Sequence, residues 1–503
     1  MQFDWGYLVG LASFKDFWTA SFLVARLSVL TWFIGLATGF SMALARASGP
    51  PWLGQIAIAY IWFFRSLPLL VLLIFVYNLP QILPGLRPIL SNPFWAGLVA
   101  LVVSETAYIA EIHRGGLLSV DKGQHEVAHA LGIRALGKWR HIVAPQAFRV
   151  SLPALGNEFI TIVKLTSLVS VVSLPEILLV GQRLYTRNFL VIETLVAVSA
   201  YYVLIVTLFT WALGVLERRM DVTLRETAEQ IAPGRSTAAL PPSAASERGI
   251  GEEIVIEMNN VRKTFGAKVV LNDISLKVRS GEVVGVIGPS GSGKTTLIRT
   301  INGLQDIDAG SIRFLGREWI DGNDGYRLCK TFYNDVVHLG MVFQSFNLFP
   351  HKTVLENVAL GPRYHKMWTG AESRERAMGH LEKMGMAAYA AKYPHQLSGG
   401  QQQRVAIART LAMEPRAILL DEPTSSLDPE LVGEVLRAIE ILALEGMTMI
   451  VVTHEMRFAA GISDRIVMMR DGRMVANVTA EHLLAAPADS GVRRFMERLE
   501  NHG

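Results

Sequence analysis

The chain has one cysteine, Cys329, among 503 residues. That excludes an intrachain disulfide framework and a thiolate zinc site. With no activating partner near it in sequence, Cys329 reads as an ordinary thiol. Charge is also scarce. Only 18% of residues are Asp, Glu, Lys or Arg, while 50% are hydrophobic. Soluble domains carry about 25% charged residues, so an ordinary soluble protein is excluded, and so is global disorder. No Lys/Arg cluster with interleaved aromatics is present, which argues against nucleic acid as a partner. A basic n-region and a small-residue cleavage site are missing from the N-terminus, so no cleaved signal peptide is expected.

What is present falls into two textures. The length suggests about three domains as a soft prior. The net charge of +4 is unevenly spread: residues 1–226 hold 17 Lys/Arg against 12 Asp/Glu, an excess of +5, leaving −1 for the rest. The same region holds the long uncharged runs. Arg26 and Arg46 bracket 19 uncharged residues, Glu193 and Glu217 bracket 23, and between Arg46 and Arg87 only Arg65 is charged. A spanning helix needs about 20 apolar residues. These runs predict five spans near 20–45, 57–79, 93–112, 152–174 and 193–216, the fourth interrupted by Glu158 and Lys164. The 113–151 loop carries Arg114, Lys122, Arg134, Lys138, Arg140 and Arg149, and the last span exits into Arg218, Arg219 and Arg225. The positive-inside rule then puts the N-terminus outside and everything after residue 217 in the cytoplasm. Glu176 and Glu193 are expected to face interfacial water. Residues 227–251, rich in Ala, Pro, Ser and Gly, read as a flexible linker. From Glu252 onward short β-rich runs alternate with helical stretches, and Val283–Ile287, Ala417–Leu420 and Met449–Val452 are candidate buried parallel strands of an α/β domain.

The first of those strands runs directly into Gly288-Pro289-Ser290-Gly291-Ser292-Gly293-Lys294-Thr295-Thr296. This is a phosphate loop in its required setting, a strand before and a helix-forming run after. Gly288, Gly291 and Gly293 let the backbone wrap a phosphate without Cβ clashes. The converging N–H groups at a helix N-terminus favour anions. Lys294 supplies a charge to the β- and γ-phosphates and Thr295 a hydroxyl to Mg²⁺. The second strand ends in Asp421 and Glu422. Asp421 is placed to hold Mg²⁺, directly or through water, and Glu422 to polarise an attacking water.

Leu397-Ser398-Gly399-Gly400-Gln401-Gln402-Gln403-Arg404 resembles the signature sequence of ABC-transporter ATPases. The other parts of that family's pattern follow in order over residues 252–482. Phe265 matches the adenine-stacking aromatic, Gln344 the Q-loop glutamine (a further Mg²⁺ contact), Asp428 in Ser426-Leu427-Asp428 the D-loop, and His454 the switch histidine. The resemblance implies ATP and Mg²⁺ as ligands and a dimeric ATPase. Ser398 and Gly400 of one subunit would complete the nucleotide site of the other, Asp428 would be a further nucleotide contact, and Glu422, His454 and Gln344 would be the catalytic residues.

The apolar half has its own resemblance. Glu126-Val127-Ala128-His129-Ala130-Leu131-Gly132, followed by Ile142-Val143-Ala144-Pro145, is similar to the cytoplasmic docking loop of bacterial ABC import permeases. Phe64-Arg65-Ser66-Leu67-Pro68, Ala107-Tyr108 with Glu111 and Arg114, Gly123-Gln124, and the ATPase words Phe346-Asn347-Leu348-Phe349-Pro350-His351 and Thr453-His454-Glu455-Met456 resemble the polar-amino-acid uptake family. The implied architecture is an all-α membrane permease domain of about five transmembrane helices (1–226), a linker (227–251), and an α/β phosphate-loop ATPase domain (252–503). The implied function is ATP-driven import of a polar amino acid across the bacterial inner membrane. A separate solute-binding protein would deliver it to a homodimer or a heteromer with a second permease. An exporter half-transporter would need about six longer spans, and a regulatory membrane ATPase would lack transport. Charges within a membrane default to functional hypotheses. Lys164, where the family has Lys-Asp-Thr-Ser and this chain has Lys-Leu-Thr-Ser, is a candidate for a substrate carboxylate; the alternative is pairing with Glu158 or snorkelling. Glu105 is a second candidate substrate residue.

Overall fold

The computed structural model describes residues 3–220, 249–323 and 325–480. Arg225 and residues 227–248 of the expected linker lie outside the described residues. The chain divides into two compact units: Met1–Val120 with Val143–Arg225, and Asp121–Ile142 with Glu226–Gly503.

The first unit is helical. Among the described residues, four helices are long and apolar enough to cross a bilayer. The Lys15–Ser48 helix has Asp16 in its first turn and Arg46 in its last, each complementing the helix dipole. The Pro93–Leu118 helix starts on Asn92, whose side chain accepts the Phe94 N–H. The expected span at 57–79 is not one rod. It is the pair Pro51–Ser66 and Leu69–Gln81, bent by 103°. Pro68 causes the break. It lacks an N–H, and it drives Leu67 out of the helical region to φ −88°, ψ 126°. Five spans are reached only by counting this bent pair as one. The expected fourth span begins earlier than 152, because the Ala144–Leu165 helix carries Pro153 within it and continues through 3-10 turns to Val172.

Two acidic residues depart from expectation. Glu176 and Glu193 are buried, not at interfacial water. Glu176 caps the Ile177–Asn188 helix, accepting the N–H groups of Leu178 (2.8 Å) and Leu179 (2.7 Å) and the Tyr202 hydroxyl (2.6 Å). Glu193 accepts the Asp4 N–H at 3.0 Å. Both satisfy backbone donors that would otherwise be stranded in an apolar setting.

The second unit carries eleven strands among its described residues: β1 Ile254–Phe265, β2 Lys268–Arg279, β3 Val283–Ile287, β4 Ala309–Phe314, β5 Arg317–Asp321, β6 Arg327–Leu328, β7 Leu339–Val342, β8 Ala417–Asp421, β9 Thr448–Val452, β10 Arg465–Arg470 and β11 Arg473–Thr479. β2-β1-β4-β5-β6 form an antiparallel sheet. The second sheet has the order β11-β10-β3-β9-β8-β7 and is parallel except at the β10–β11 edge. All three strands expected to be buried, β3, β8 and β9, are fully buried. Apart from Thr448 and the terminal Asp421 they carry no polar side chain, as strands of a parallel sheet covered on both faces do. β3, β9 and β8 are neighbours, so the loops at their carboxyl ends meet at one edge, where α/β sheets bind ligands.

Candidate functional site

β3 ends at Ile287 and the chain turns at once through Gly288 (φ 152°), Gly291 (φ 78°) and Gly293 (φ 101°) into the Lys294–Ile301 helix. A Cβ on Gly288 would lie 2.2 Å from the Met469 carbonyl oxygen, and one on Gly293 2.6 Å from that of Val270. Only glycine fits these two positions. Lys294 Nζ donates to the carbonyls of Gly288 (2.8 Å) and Pro289 (3.1 Å), and burial pulls its pKa down. The Ser292 hydroxyl is buried without a hydrogen-bond partner, an unspent polar group inside the loop.

From the neighbouring strands come the acids and the histidine. Thr295 Oγ1 donates to Asp421 Oδ1 at 3.1 Å. Burial raises the Asp421 carboxyl to about 6. Glu422 sits at φ 45°, an uncommon backbone conformation for a residue with a side chain. Its N–H is held by the Val452 carbonyl at 2.9 Å. His454 Nε2 lies 2.8 Å from Glu422 Oε1 and holds that carboxyl below the usual range. Thr295, Glu422 and His454 border a cavity of about 310 Å³ lined also by Phe265, Lys268, Ser290, Gly291, Gly293, Lys294 and Thr296, with Asp421 behind Thr295 and outside the lining. The donor set suits a nucleoside triphosphate with a divalent cation: amides and an ammonium for phosphate, a hydroxyl and a carboxylate side by side for the metal.

Gln344, Ser398, Gly400 and Asp428 lie outside this cavity's lining. Gln344 is exposed on the bend after β7. Ser398 is exposed and caps the Gly399–Leu411 helix, its side chain accepting the Gln401 N–H, while Gly400 is buried with its Cα facing Leu431. Asp428 is exposed at the start of the Pro429–Leu444 helix. Phe265, 48% exposed, projects at the end of β1 with Lys263 Nζ 5.4 Å from its ring centre. Lys263 was not singled out from sequence. It is nearly buried and pairs with Asp306 (2.7 Å) and Asp308 (3.0 Å).

The docking segment packs within the same unit as the ATPase sheets. Its helix, Lys122–Ala130, buries Gly123, Gln124, Val127, Ala128 and Ala130. A Cβ on Gly123 would fall 2.2 Å from Asn347 Oδ1, and one on Gly132 (φ 65°) 2.8 Å from the Tyr333 carbonyl oxygen. Small residues therefore set how closely it seats. Glu126 is ion-paired with Arg299 on the helix that follows the phosphate loop. Gln124 Nε2 donates to the Leu348 carbonyl at 3.1 Å. His365 Nε2 bonds the Leu131 carbonyl at 2.8 Å and His351 Nε2 the His141 carbonyl at 2.9 Å. Arg299 carries no motif signal on its own; only its place one turn into the phosphate-loop helix could have suggested it.

In the helical unit, Glu105 is 1% exposed, bonded to Ser104 at 3.3 Å and faced by Glu158. Lys164 is exposed, and no ion pair joins it to Glu158 among the described residues. Among the described residues, no hydrogen bond or ion pair joins Glu105 to Lys164.

The L-cystine transport system ATP-binding protein TcyN of Escherichia coli is 51% identical over 244 residues, 48% of this chain and 97% of that protein. The chain belongs to the ABC transporter family. The family profile described as "ABC transporter" matches residues 271–425 of this ABC transporter chain. The profile described as "Binding-protein-dependent transport system inner membrane component" matches residues 35–222. The glutamine transport ATP-binding protein GlnQ of Bacillus subtilis is 48% identical over 249 residues, 49% of this chain and 100% of that protein. The glutamate transport ATP-binding protein GluA of Corynebacterium efficiens is 49% identical over 248 residues, again 49% and 100%. The transporter thus carries permease and ATPase components in one chain, and it binds and hydrolyses ATP to drive transport.

Proposed function

We propose that this chain is half of an importer that moves a polar amino acid, or a close derivative, across the bacterial inner membrane. The single observation that carries the reading is the fusion itself: a binding-protein-dependent permease and an ATPase share one chain, and the permease's own loop, Asp121–Ile142, packs into the ATPase unit. The substrate class is supported by relatives named for L-cystine, glutamine and glutamate transport. The ATPase unit works in the cytoplasm, and a separate solute-binding protein presents the amino acid. Two chains form the working transporter. Ser398, Gly400 and Asp428 of one copy complete the site built on the other's phosphate loop; their position away from the cavity in a single chain favours this arrangement.

In that site Phe265 stacks on the adenine, and the amides of residues 288–296 with Lys294 cradle the phosphates. Thr295, Asp421 and Gln344 would hold Mg²⁺, whose chemistry there would be to neutralise developing phosphate charge. Glu422 is ionised at neutral pH, because His454 stabilises its carboxylate, and so can orient and polarise the attacking water. Closure of two copies excludes bulk water. In the membrane, Lys164 is the candidate contact for a substrate carboxylate, and Glu105 is a second, separate candidate substrate residue.

The test is uptake of a labelled amino-acid panel by a transport-deficient host expressing this chain with its candidate binding protein, beside Glu422→Gln. Accumulation of one class that disappears in the variant is expected. ATP hydrolysis by the purified chain without uptake of any amino acid would overturn the substrate reading and favour a regulatory ATPase.

A further inference from the structure

Arg409 is 2% exposed, and no carboxylate pairs with it among the described residues. A buried guanidinium without a counter-ion is costly, and burial alone pulls its pKa down to about 9. Its donors instead go to backbone. One nitrogen donates to the Asn347 carbonyl at 2.8 Å, the other to the Phe346 carbonyl at 3.3 Å, and the guanidinium lies 5.5 Å over the Phe349 ring.

Those carbonyls belong to a short stretch that is gripped from several sides. On the other side of Gln344, the Phe343 carbonyl accepts from Gln403 at 3.3 Å. The Met341 carbonyl accepts from Thr410 at 3.1 Å. Gln403, Arg409 and Thr410 all stand on the Gly399–Leu411 helix, so that helix holds the backbone before and after Gln344. The next carbonyl along, Leu348, is taken by Gln124 of the docking helix. Asn347 is strained at φ 49° and lies against Gly123 of the same helix. Asn357 fixes the N–H (2.7 Å) and carbonyl (3.1 Å) of Phe349. The strap 346–349 is therefore held by the docking helix on one side and by the signature helix on the other.

We propose that Arg409 is a positioning residue that ties the docking helix to the signature helix through the carbonyls of Phe346 and Asn347. Ser398 and Gly400 are carried at the N-terminus of the same helix, about 16 Å from Arg409 at 1.5 Å per residue. A shift of the docking helix moves the strap, and the forked guanidinium carries that shift into a rigid helix. Lysine cannot do the same, because an ammonium on a flexible stem does not hold two successive carbonyls in fixed geometry. The inference rests on the nucleotide site described above.

The experiment is hydrogen exchange on the full chain in lipid nanodiscs, in a Glu422→Gln background, with and without MgATP. With Arg409 intact, MgATP is expected to slow exchange both at residues 288–296 and at residues 122–130. With Arg409→Lys, the slowing at 288–296 persists while that at 122–130 falls at least fivefold. Equal slowing at 122–130 in parent and variant overturns the proposal, as does a parent that shows none there. Loss of slowing at 288–296 in the parent would instead overturn the nucleotide reading itself. If Arg409→Lys does not fold, Arg409→Gln, which removes the buried charge but keeps a donor, is read in the same way. If neither folds, Arg409 is a folding residue and the proposal fails.

Discussion

At the scale of single residues, the catalytic edge of the ATPase is held in an electrostatically unfavourable state. Asp421 is raised to about 6 by burial, so the folded chain disfavours its ionised form. The penalty is absent below the unfolded value near 4, grows as pH rises through about 6, and is fully present at pH 7.5. Asp421→Asn should therefore stabilise the nucleotide-free chain at pH 7.5 and raise its melting temperature, by on the order of 3 kcal/mol at most for a shift up to about 6. It should also cut the further rise on adding MgATP, because the metal loses a ligand. Thermal unfolding with and without MgATP reads both; a destabilised nucleotide-free variant would contradict the first. Glu422→Gln should keep nucleotide binding and lower turnover by about 10²–10⁴-fold, the range of general-base losses, as measured by ATP binding and phosphate release. The residues concerned were legible in the sequence because each is a short word at the end of an apolar strand: Gly288–Thr296 after β3, Asp421-Glu422 after β8, His454 after β9. Their companions were not. Glu126 and Arg299 are 173 residues apart and Arg409 and Asn347 are 62 apart. An arginine on a helix shows nothing of the carbonyl it will meet.

Elements were legible where a single period governs them and illegible where packing decides. The runs Val283–Ile287, Ala417–Leu420 and Met449–Val452 carry no polar side chain and fold as buried strands. The run 57–79 is just as apolar, and hydropathy joins what Pro68 divides. Glu176 and Glu193 read as interfacial from their charge alone, yet each is buried because a backbone N–H at a helix start needed an acceptor. The docking segment is a further case. Its seat depends on His365, bonded to the Leu131 carbonyl, and on His129, bonded to the Asn302 backbone; burial holds both below the usual histidine value, and Arg134 and Lys138 respectively push in the same direction. For a lowered histidine, the stabilisation is present above the unfolded pKa of about 6.5 and is lost as pH falls below it. Protection at residues 122–130, taken relative to the intrinsic base-catalysed exchange rate at each pH, should therefore fall between pH 7.5 and 5.5. His365→Gln, which can still donate to that carbonyl, should flatten part of the change. An acid response unaltered in that variant would assign it to another group.

For the whole molecule, the question is what one chain leaves unfinished. Its cavity is bounded by the phosphate loop, Glu422 and His454, and the exposed Ser398 is not among its lining residues. Ser398 caps only the Gln401 N–H, and the exposed Ser398 marks the positive end of that helix's dipole, the kind of surface that receives a phosphate. Two copies facing each other in opposite directions would supply two such ends to two phosphate loops, and the symmetry would require both sites to close together. ATP hydrolysis should then depend on nucleotide concentration with a Hill coefficient above 1. Co-assembly of the wild-type chain with a Glu422→Gln copy should lower activity by more than the simple fraction of mutant subunits. Steady-state hydrolysis by separately tagged, co-purified chains measures this directly. If activity falls strictly in proportion to the mutant fraction, each chain works alone and the shared site is wrong. A steeper fall would also explain the fusion: with permease and ATPase in one chain, each pairing of the membrane halves brings two ATPase units to the same complex.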